Sequence, residues 1–236
     1  MLGPTDYAPV PVIEAWDETH VFRGMRLALP SALAREHVRP GQVVKIHADG
    51  AGEGFFALAS APESGGVADL LVKRGGRVAD AAIAAARPGA SLALTRPFGE
   101  GFPVDEAEGR DVLLFAAGSA IGPIRALVQY VIGHRNRFGR VTLFYGQRHG
   151  AEFAYRSEHL DWERRGVRVV LCPSSEDDPW EGLRGRVQKV ARALAFGGVP
   201  PADAVAFVAG MTAMVEDVRK TLAASGVPPE RVHANF

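Results

Sequence analysis

The amino-acid sequence predicts two domains in series: an antiparallel β-barrel over residues 1–108 and an α/β domain with a parallel sheet over residues 109–236. Three observations carry that prediction. Residues 1–95 hold short β-type runs separated by Gly and Pro turns, the pattern of a small barrel. From residue 111 onward, strands alternate with helical segments, which argues for a parallel sheet flanked by helices. Where this second half opens, Val112, Leu113, Leu114, Phe115, Ala116 and Ala117 form an apolar run without alternation, as expected of a strand buried on both faces.

That run ends at Gly118, and Ser119, Ala120, Ile121, Gly122 and Pro123 follow as a turn of small residues. Ile124, Leu127, Val128 and Val131 then recur at helical spacing. Pro123 suits the first helical turn, where a missing N–H costs nothing. A buried strand, a small-residue turn and a helix N-terminus together form a place for an anion, because free N–H groups and the helix dipole point at it. The full G-x-G-x-x-G spacing is absent, so the turn taken alone reads equally well as an ordinary crossover. Ligands of parallel sheets sit beyond the carboxyl ends of the strands. A cleft between such a sheet and a barrel is a natural site for a second ligand.

In the first half, Val10, Val12 and Ile13 begin a strand, and Val21, Phe22, Met25, Leu27 and Leu29 make a second. Residues 32–37 read as a helical turn before Pro40-Gly41, and 42–48 as a partly alternating strand. Residues 49–54 read as a flexible hairpin tip, 55–60 as a strand closed by Ala61-Pro62, and 67–73 as the next strand. The alanine-rich stretch 78–86 reads as a helix, and 96–111, without periodicity, as the join between the halves. In the second half, strands at 112–117, 141–145, 167–171 and 205–208 precede helices at 124–133, 157–165, 187–194 and 214–224.

Composition narrows the function. With 47% apolar and 23% charged residues, the chain of 236 residues can bury a full core. Its 27 basic residues balance 27 acidic ones with no long basic run, so nucleic acid is not an expected partner. The longest apolar stretch is broken by Gly and Pro, too short to span a membrane. Residues 1–20 carry acidic groups and no basic leader segment, so a cytoplasmic location is expected. Cys172 is the one cysteine, which excludes an intrachain disulfide and a cluster held by four thiolates of this chain. The seven histidines are scattered without ligand spacing, so no metal is expected. Cys172 reads as a buried inert thiol, Tyr155, Trp162 and Trp180 as packing aromatics, and Glu176, Asp177 and Asp178 as a solvated acidic loop.

Several motifs, taken in order, resemble landmarks of the ferredoxin-NADP reductase superfamily over nearly the whole chain. Phe56-Ala57-Leu58-Ala59-Ser60-Ala61-Pro62 resembles the flavin-binding strand, usually Arg-x-Tyr-Ser-x-x-Ser, and Leu71-Val72-Lys73-Arg74 the strand after it. Gly76-Arg77-Val78-Ala79 resembles the turn that holds the flavin pyrophosphate, and Arg96-Pro97-Phe98-Gly99 the close of the barrel. Ala117-Gly118-Ser119-Ala120-Ile121-Gly122-Pro123 resembles the nicotinamide-nucleotide turn. Phe144 to Arg148, Trp180 to Val187 and Ala209-Gly210-Met211-Thr212-Ala213-Met214 resemble later landmarks, and the chain ends in an aromatic residue, Phe236. The likeness extends to a branch that includes a plant fruit protein of unassigned reaction.

The resemblance implies an FAD-binding barrel, an NAD(P)-binding α/β domain and hydride transfer between NAD(P)H and FAD, then electron transfer to an external acceptor such as a carrier protein. By the same resemblance, Phe56, Ala57, Leu58, Ala59 and Leu71 would flank the flavin, and Val72, Lys73, Gly76, Arg77, Val78 and Ala79 its diphosphate. Gly118 to Pro123, Arg148, Gly210 and Met211 would hold NAD(P)H, with Arg148 placed for a 2′-phosphate, and Phe236 would cover the flavin. Ala57, Ala209 and Phe236 would stand where the hydride passes, as positional groups only. The departures share a direction. The usual Arg is Gly54 and the usual Tyr is Phe56, while polar groups at 57, 79, 209 and 234 are all alanine. Losing one transition-state polar contact often costs ~10²-fold in rate. A second expectation therefore stands beside the oxidoreductase: a redox-silent relative that binds nucleotide or a partner.

Overall fold

The computed structural model describes residues 6–235. In its first half, β1 (Ala8–Asp17), β2 (Phe22–Ala28), β3 (Val43–Ala48), β4 (Gly52–Ala57), β5 (Val67–Lys73) and β6 (Ser91–Leu94) form one six-stranded sheet. Its order is β4-β3-β6-β1-β2-β5, and the strand pairings in it are antiparallel among the described residues. The sheet curls until its edges meet: Leu58 bridges Leu70, and the Ala59 N–H donates to the Asp69 carbonyl at 2.7 Å. Closing the sheet leaves no unpaired edge at this seam. Met25, Leu27, Val44, Ile46, Leu70 and Leu94 fill the interior. A short helix, α1 (Ser31–Ala34), precedes β3, and α2 (Arg77–Ala85) follows β5, burying Ala82 in the same core.

The second half is a parallel sheet of β7 (Asp111–Ala117), β8 (Val141–Gln147), β9 (Val167–Pro173), β10 (Ala204–Ala209) and β11 (Val232–Ala234), in the order β11-β10-β7-β8-β9. Its helices are α3 (Ile121–Gly133), α4 (Arg156–Arg164), α5 (Val187–Ala193) and α6 (Thr212–Ala223). One apolar core joins α3 and Trp162 of α4 to one face of the sheet, and another joins α5 and α6 to the other face. Burial on both faces explains the unalternating run in β7, whose Val112 to Ala116 are all buried. The chain steps from β7 outward through β8 and β9, then crosses to β10 on the other side of β7. The strand order therefore reverses between β7 and β10, and their carboxyl ends frame a crevice.

The two sheets agree with the barrel and parallel α/β architecture expected above. Particular bounds differ. The hairpin tip is shorter than 49–54, because Gly52, at φ +93°, already starts β4. β4 ends at Ala57 rather than residue 60, since Leu58 and Ala59 turn to pair with β5. α3 begins at Ile121, which still leaves Pro123 in the first turn. β6 and β11 were not expected as strands. Each is short, and its extended form depends on the neighbour it pairs with, Ala8 to Pro11 for β6 and Ala206 to Val208 for β11.

Candidate functional site

The α/β side of the crevice is built largely of backbone. Gly118 directly follows β7 at φ +62°, and no atom lies within 4 Å of the place where a Cβ would be. That glycine permits the turn and leaves its peptide face open. Ser119 and Ala120 complete a single 3₁₀ turn into α3; the Ile121 N–H is taken by the Gly118 carbonyl, and no side chain caps the turn, so the amides left for a ligand are those of the turn itself. Gly210 follows β10 in the facing turn. Gly146 lies near the end of β8, where a Cβ would come 2.8 Å from Val187, so α5 rests directly on that strand.

The barrel side contributes side chains. Phe56 lies against Gly54 and α2: a Cβ at Gly54 would stand 3.3 Å from the Phe56 ring and 3.3 Å from Val78. Ala57, Leu71 and Lys73 continue this wall. Lys73 and Arg77 are exposed, and neither has an ion-pair partner among the described residues. Arg77 reaches over the start of β4, its Nη2 3.5 Å from where a Gly52 Cβ would sit. Arg74 differs, being ion-paired with Asp17. In the turn before α2, the Gly75 N–H is taken by Asp80 at 2.9 Å, while the first N–H groups of α2 have no helical partner.

Between these walls runs one cleft of about 960 Å³. It joins the Phe56–Ala57 wall to the Gly118–Pro123 turn, and continues past Arg148 to the ends of β8 and β9. Its size lies at the large end of small-molecule pockets, and it has the composition such sites show: apolar walls with a few polar groups. An extended anionic dinucleotide fits this arrangement, with free amides and a dipole at one end and unpaired cations at the other. Ala57 and Ala209 narrow nothing, and the cleft between them is open rather than plugged.

The residues singled out from sequence divide. Phe56, Ala57, Leu71, Lys73, Gly118, Ser119, Ala120, Pro123, Arg148, Ala209, Gly210 and Met211 all border the cleft. Met211 is 76% exposed, so it forms a lip more than a wall. Leu58, Ala59, Val72 and Ile121 do not reach it with their side chains, which are buried in the cores and seam. Gly122 instead packs against the barrel, with its would-be Cβ 3.4 Å from Ala59 and 3.7 Å from Leu71. Gly76, Arg77, Val78 and Ala79 sit at the start of α2, beside the strand that carries Phe56. Phe236 lies outside the described residues.

Other expectations resolve as well. Tyr155 and Trp162 are buried packing residues, and Trp180 lies over Gly150, where a Cβ would meet its ring at 2.7 Å. Cys172 is buried, and burial pushes its thiol up to about 12, consistent with an inert group. Asp178 corrects the solvated-loop reading. It is buried and accepts the Gly150 N–H, tying the loop to the end of β8, while Glu176 and Asp177 are exposed. The cleft also takes in Val43, Phe55, Ser174, Arg186 and Gln188, which sequence reasoning did not assign. Arg186 is held 3.4 Å from Asp217 at the α5 end of the cleft. Only its place just before a helix start could have flagged it. Among the described residues no group of three or more His, Cys, Asp or Glu is placed to hold a metal ion, and no helix is long and apolar enough to cross a membrane.

A barrel wall facing a phosphate-type turn at a sheet switch point defines a two-domain nucleotide-binding reductase fold. Comparison with known proteins agrees: residues 114–220 match the family described as oxidoreductase NAD-binding domain. The fold of the chain is that of ferredoxin-NADP reductase-like proteins. The sulfhydrogenase 1 subunit gamma of Pyrococcus furiosus is 31% identical over 73% of this chain and 60% of its own length. The fruit protein pKIWI502 of Actinidia deliciosa is 26% identical over 67% of this chain and 54% of its own. The chain thus spans little more than half the length of these relatives. A solved ferredoxin NADP+ reductase from Neisseria gonorrhoeae, with bound FAD and NADP, shares the fold at a TM-score of 0.81 and 17% identity, covering 98% of this chain and 100% of that one.

Proposed function

We propose that this chain is an NAD(P)H-dependent flavin oxidoreductase, or that unit of a longer one. The observation that carries the reading is the single open cleft joining the apolar Phe56–Ala57 wall to the Gly118–Pro123 turn. Phe56 and Ala57 provide a flat surface for a flavin ring. Lys73, Arg77 and the free amides at the start of α2 hold its diphosphate, replacing the strand arginine that Gly54 lacks. The amides from Gly118 onward and the α3 dipole hold the pyrophosphate of NAD(P)H. FAD, when bound, supplies the hydride-accepting and one-electron chemistry. The part of the protein is to bring the two rings together. Ala57 and Ala209 add only methyl groups there, so transfer rests on position rather than on a side-chain acid or base.

The acceptor lies outside these 236 residues, because the one thiol, Cys172, cannot hold a cluster. An external electron-carrier protein fits the similarity to reductase components. The names of the relatives support this assignment without fixing the carrier. Nothing in the cleft favours the redox-silent reading.

The test is direct. Purified protein reconstituted with FAD should stay yellow through desalting and bleach anaerobically with NADH or NADPH. Colourless protein, or yellow protein that neither cofactor reduces, rejects the assignment. Arg148 is exposed at the end of β8, where the adenosine ribose of a dinucleotide would lie. The Arg148→Ala variant should lower the affinity for NADPH by about tenfold with little change for NADH, as loss of one charge-assisted contact would. Equal affinities before and after would remove Arg148 from the site.

A further inference from the structure

A single buried cation ties the dinucleotide turn to the strand that leaves the flavin wall. Arg125, in the second turn of α3, has a side chain only 7% exposed. Its Nη1 donates to the Ala59 carbonyl at 2.7 Å and to Asp69 Oδ2 at 3.1 Å. Its Nε and Nη2 donate to Glu158 of α4 at 2.9 Å and 2.8 Å. The guanidinium also lies 4.7 Å from the centre of the Tyr155 ring. Asp69 is 6% exposed and is held on its other side by Arg26 at 2.9 Å and 3.1 Å.

The carbonyl that Arg125 holds belongs to the barrel seam. Ala59 follows Phe56, Ala57 and Leu58, and its N–H is bonded to Asp69 across the closure. One turn along α3, Gln129 accepts the Ala61 N–H at 2.9 Å, and one turn back Gly122 touches Ala59. Three positions of α3, one per turn, therefore grip residues 59–61. The 3₁₀ turn that leads into the same helix, Gly118–Ala120, carries the amides of the dinucleotide site.

An apolar side chain facing apolar partners in place of the carboxylates would hold the helix to the barrel at least as well. Burying charged groups carries a desolvation cost that an ion pair often only just offsets. What an arginine adds is a rigid, planar set of donors that fixes direction as well as distance. We propose that Arg125 is a positioning residue, setting the spacing and angle between the nicotinamide turn at 118–123 and the flavin wall at 56–59. The inference rests on the functional reading above. Ring-to-ring transfer is steep in distance: a misplacement of about 1 Å can cost ~10²-fold in rate.

The experiment uses the full chain loaded with FAD, compared with Arg125→Met and Arg125→Lys. Three quantities are read: separate dissociation constants for FAD and NAD(P)H, the long-wavelength charge-transfer absorbance on anaerobic mixing, and the rate of flavin bleaching. Hydrogen exchange at 58–61 in cofactor-free protein is a fourth. Arg125→Met should lose the charge-transfer band and slow bleaching by roughly 10- to 100-fold. Both dissociation constants should stay within about threefold of wild type, since neither pocket itself is altered. Exchange at 58–61 should quicken. Arg125→Lys, which keeps the charge without the planar fork, should fall between, and it carries the test if the Met variant does not fold. Wild-type bleaching and an unchanged band in a folded variant overturn the inference alone. So does a loss of affinity in step with the loss of rate. A wild-type chain that keeps no FAD overturns the functional reading, and this one with it.

Discussion

The two walls of the cleft reach the same end by different means. The α/β wall works through peptide groups exposed where strands stop, at Gly118, Gly146 and Gly210, and almost any added side chain there would be an obstruction. The barrel wall presents side chains: the Phe56 ring and Lys73 on the closed sheet, with Arg77 exposed beside them at the start of α2. One wall is spoiled by addition and the other by deletion. This is why alanine at 57 and 209 leaves the space between the walls open.

The largest break should come from adding atoms to the backbone wall. Gly118→Val puts a β-branched residue at φ +62° and two methyl groups into the open cradle. Strain of this kind costs about 1–3 kcal/mol. With the obstruction, NAD(P)H affinity should fall about 100-fold while FAD retention is unchanged, as fluorescence titration and the visible spectrum would report. A parallel loss of FAD would mean the walls are not separable. The mirror experiment deletes from the barrel wall. Arg77→Ala should weaken FAD about tenfold, the usual scale of one charge-assisted contact, and leave NAD(P)H binding to the flavin-loaded protein intact. Calorimetric titration of the two ligands separately would measure both.

The smallest effect compares the halves through pH. Each carries one buried imidazole, His37 before β3 and His159 in α4, and burial lowers both to about 4. Each Nε2 is buried without a hydrogen-bond partner. In the unfolded chain both titrate near the ordinary value of about 6.5. The unfolded state therefore binds more protons as pH falls, so stability is complete above pH ~6.5 and declines towards pH ~4. At pH 5 each contributes a loss of about 1–2 kcal/mol, or a few degrees in a domain of this size. His37→Phe and His159→Phe, each taken alone, should reduce the drop in melting temperature between pH 7 and pH 5. An unchanged drop in either would show that its ring already protonates in the folded protein.

Much of this architecture was legible in the chain because its signals are local. The apolar run at 112–117 reports burial on both faces of β7, and Pro123 and the small residues before it report the start of α3. Gly and Pro spacing marks the barrel turns. β6 and β11 were not legible, since four and three residues carry too little periodicity and owe their form to Ala8–Pro11 and Ala206–Val208. Asp178 misled for a related reason. Its neighbours Glu176 and Asp177 are solvated, and only the approach of Gly150 buries the third carboxylate.

By itself, the order of residues determined the two kinds of sheet, the turn after β7 and the small side chains around it. Each depends on residues within about a dozen positions of one another, where spacing and steric preference act directly. Only the tertiary structure decided which of them share a cleft, which (Leu58, Ala59, Val72, Ile121) are sunk beneath it, and that Arg125 reaches across to a carbonyl 66 residues earlier. Such contacts arise when two separately formed layers dock, and burial then gives an ordinary arginine a partner that nothing near it in the chain could specify.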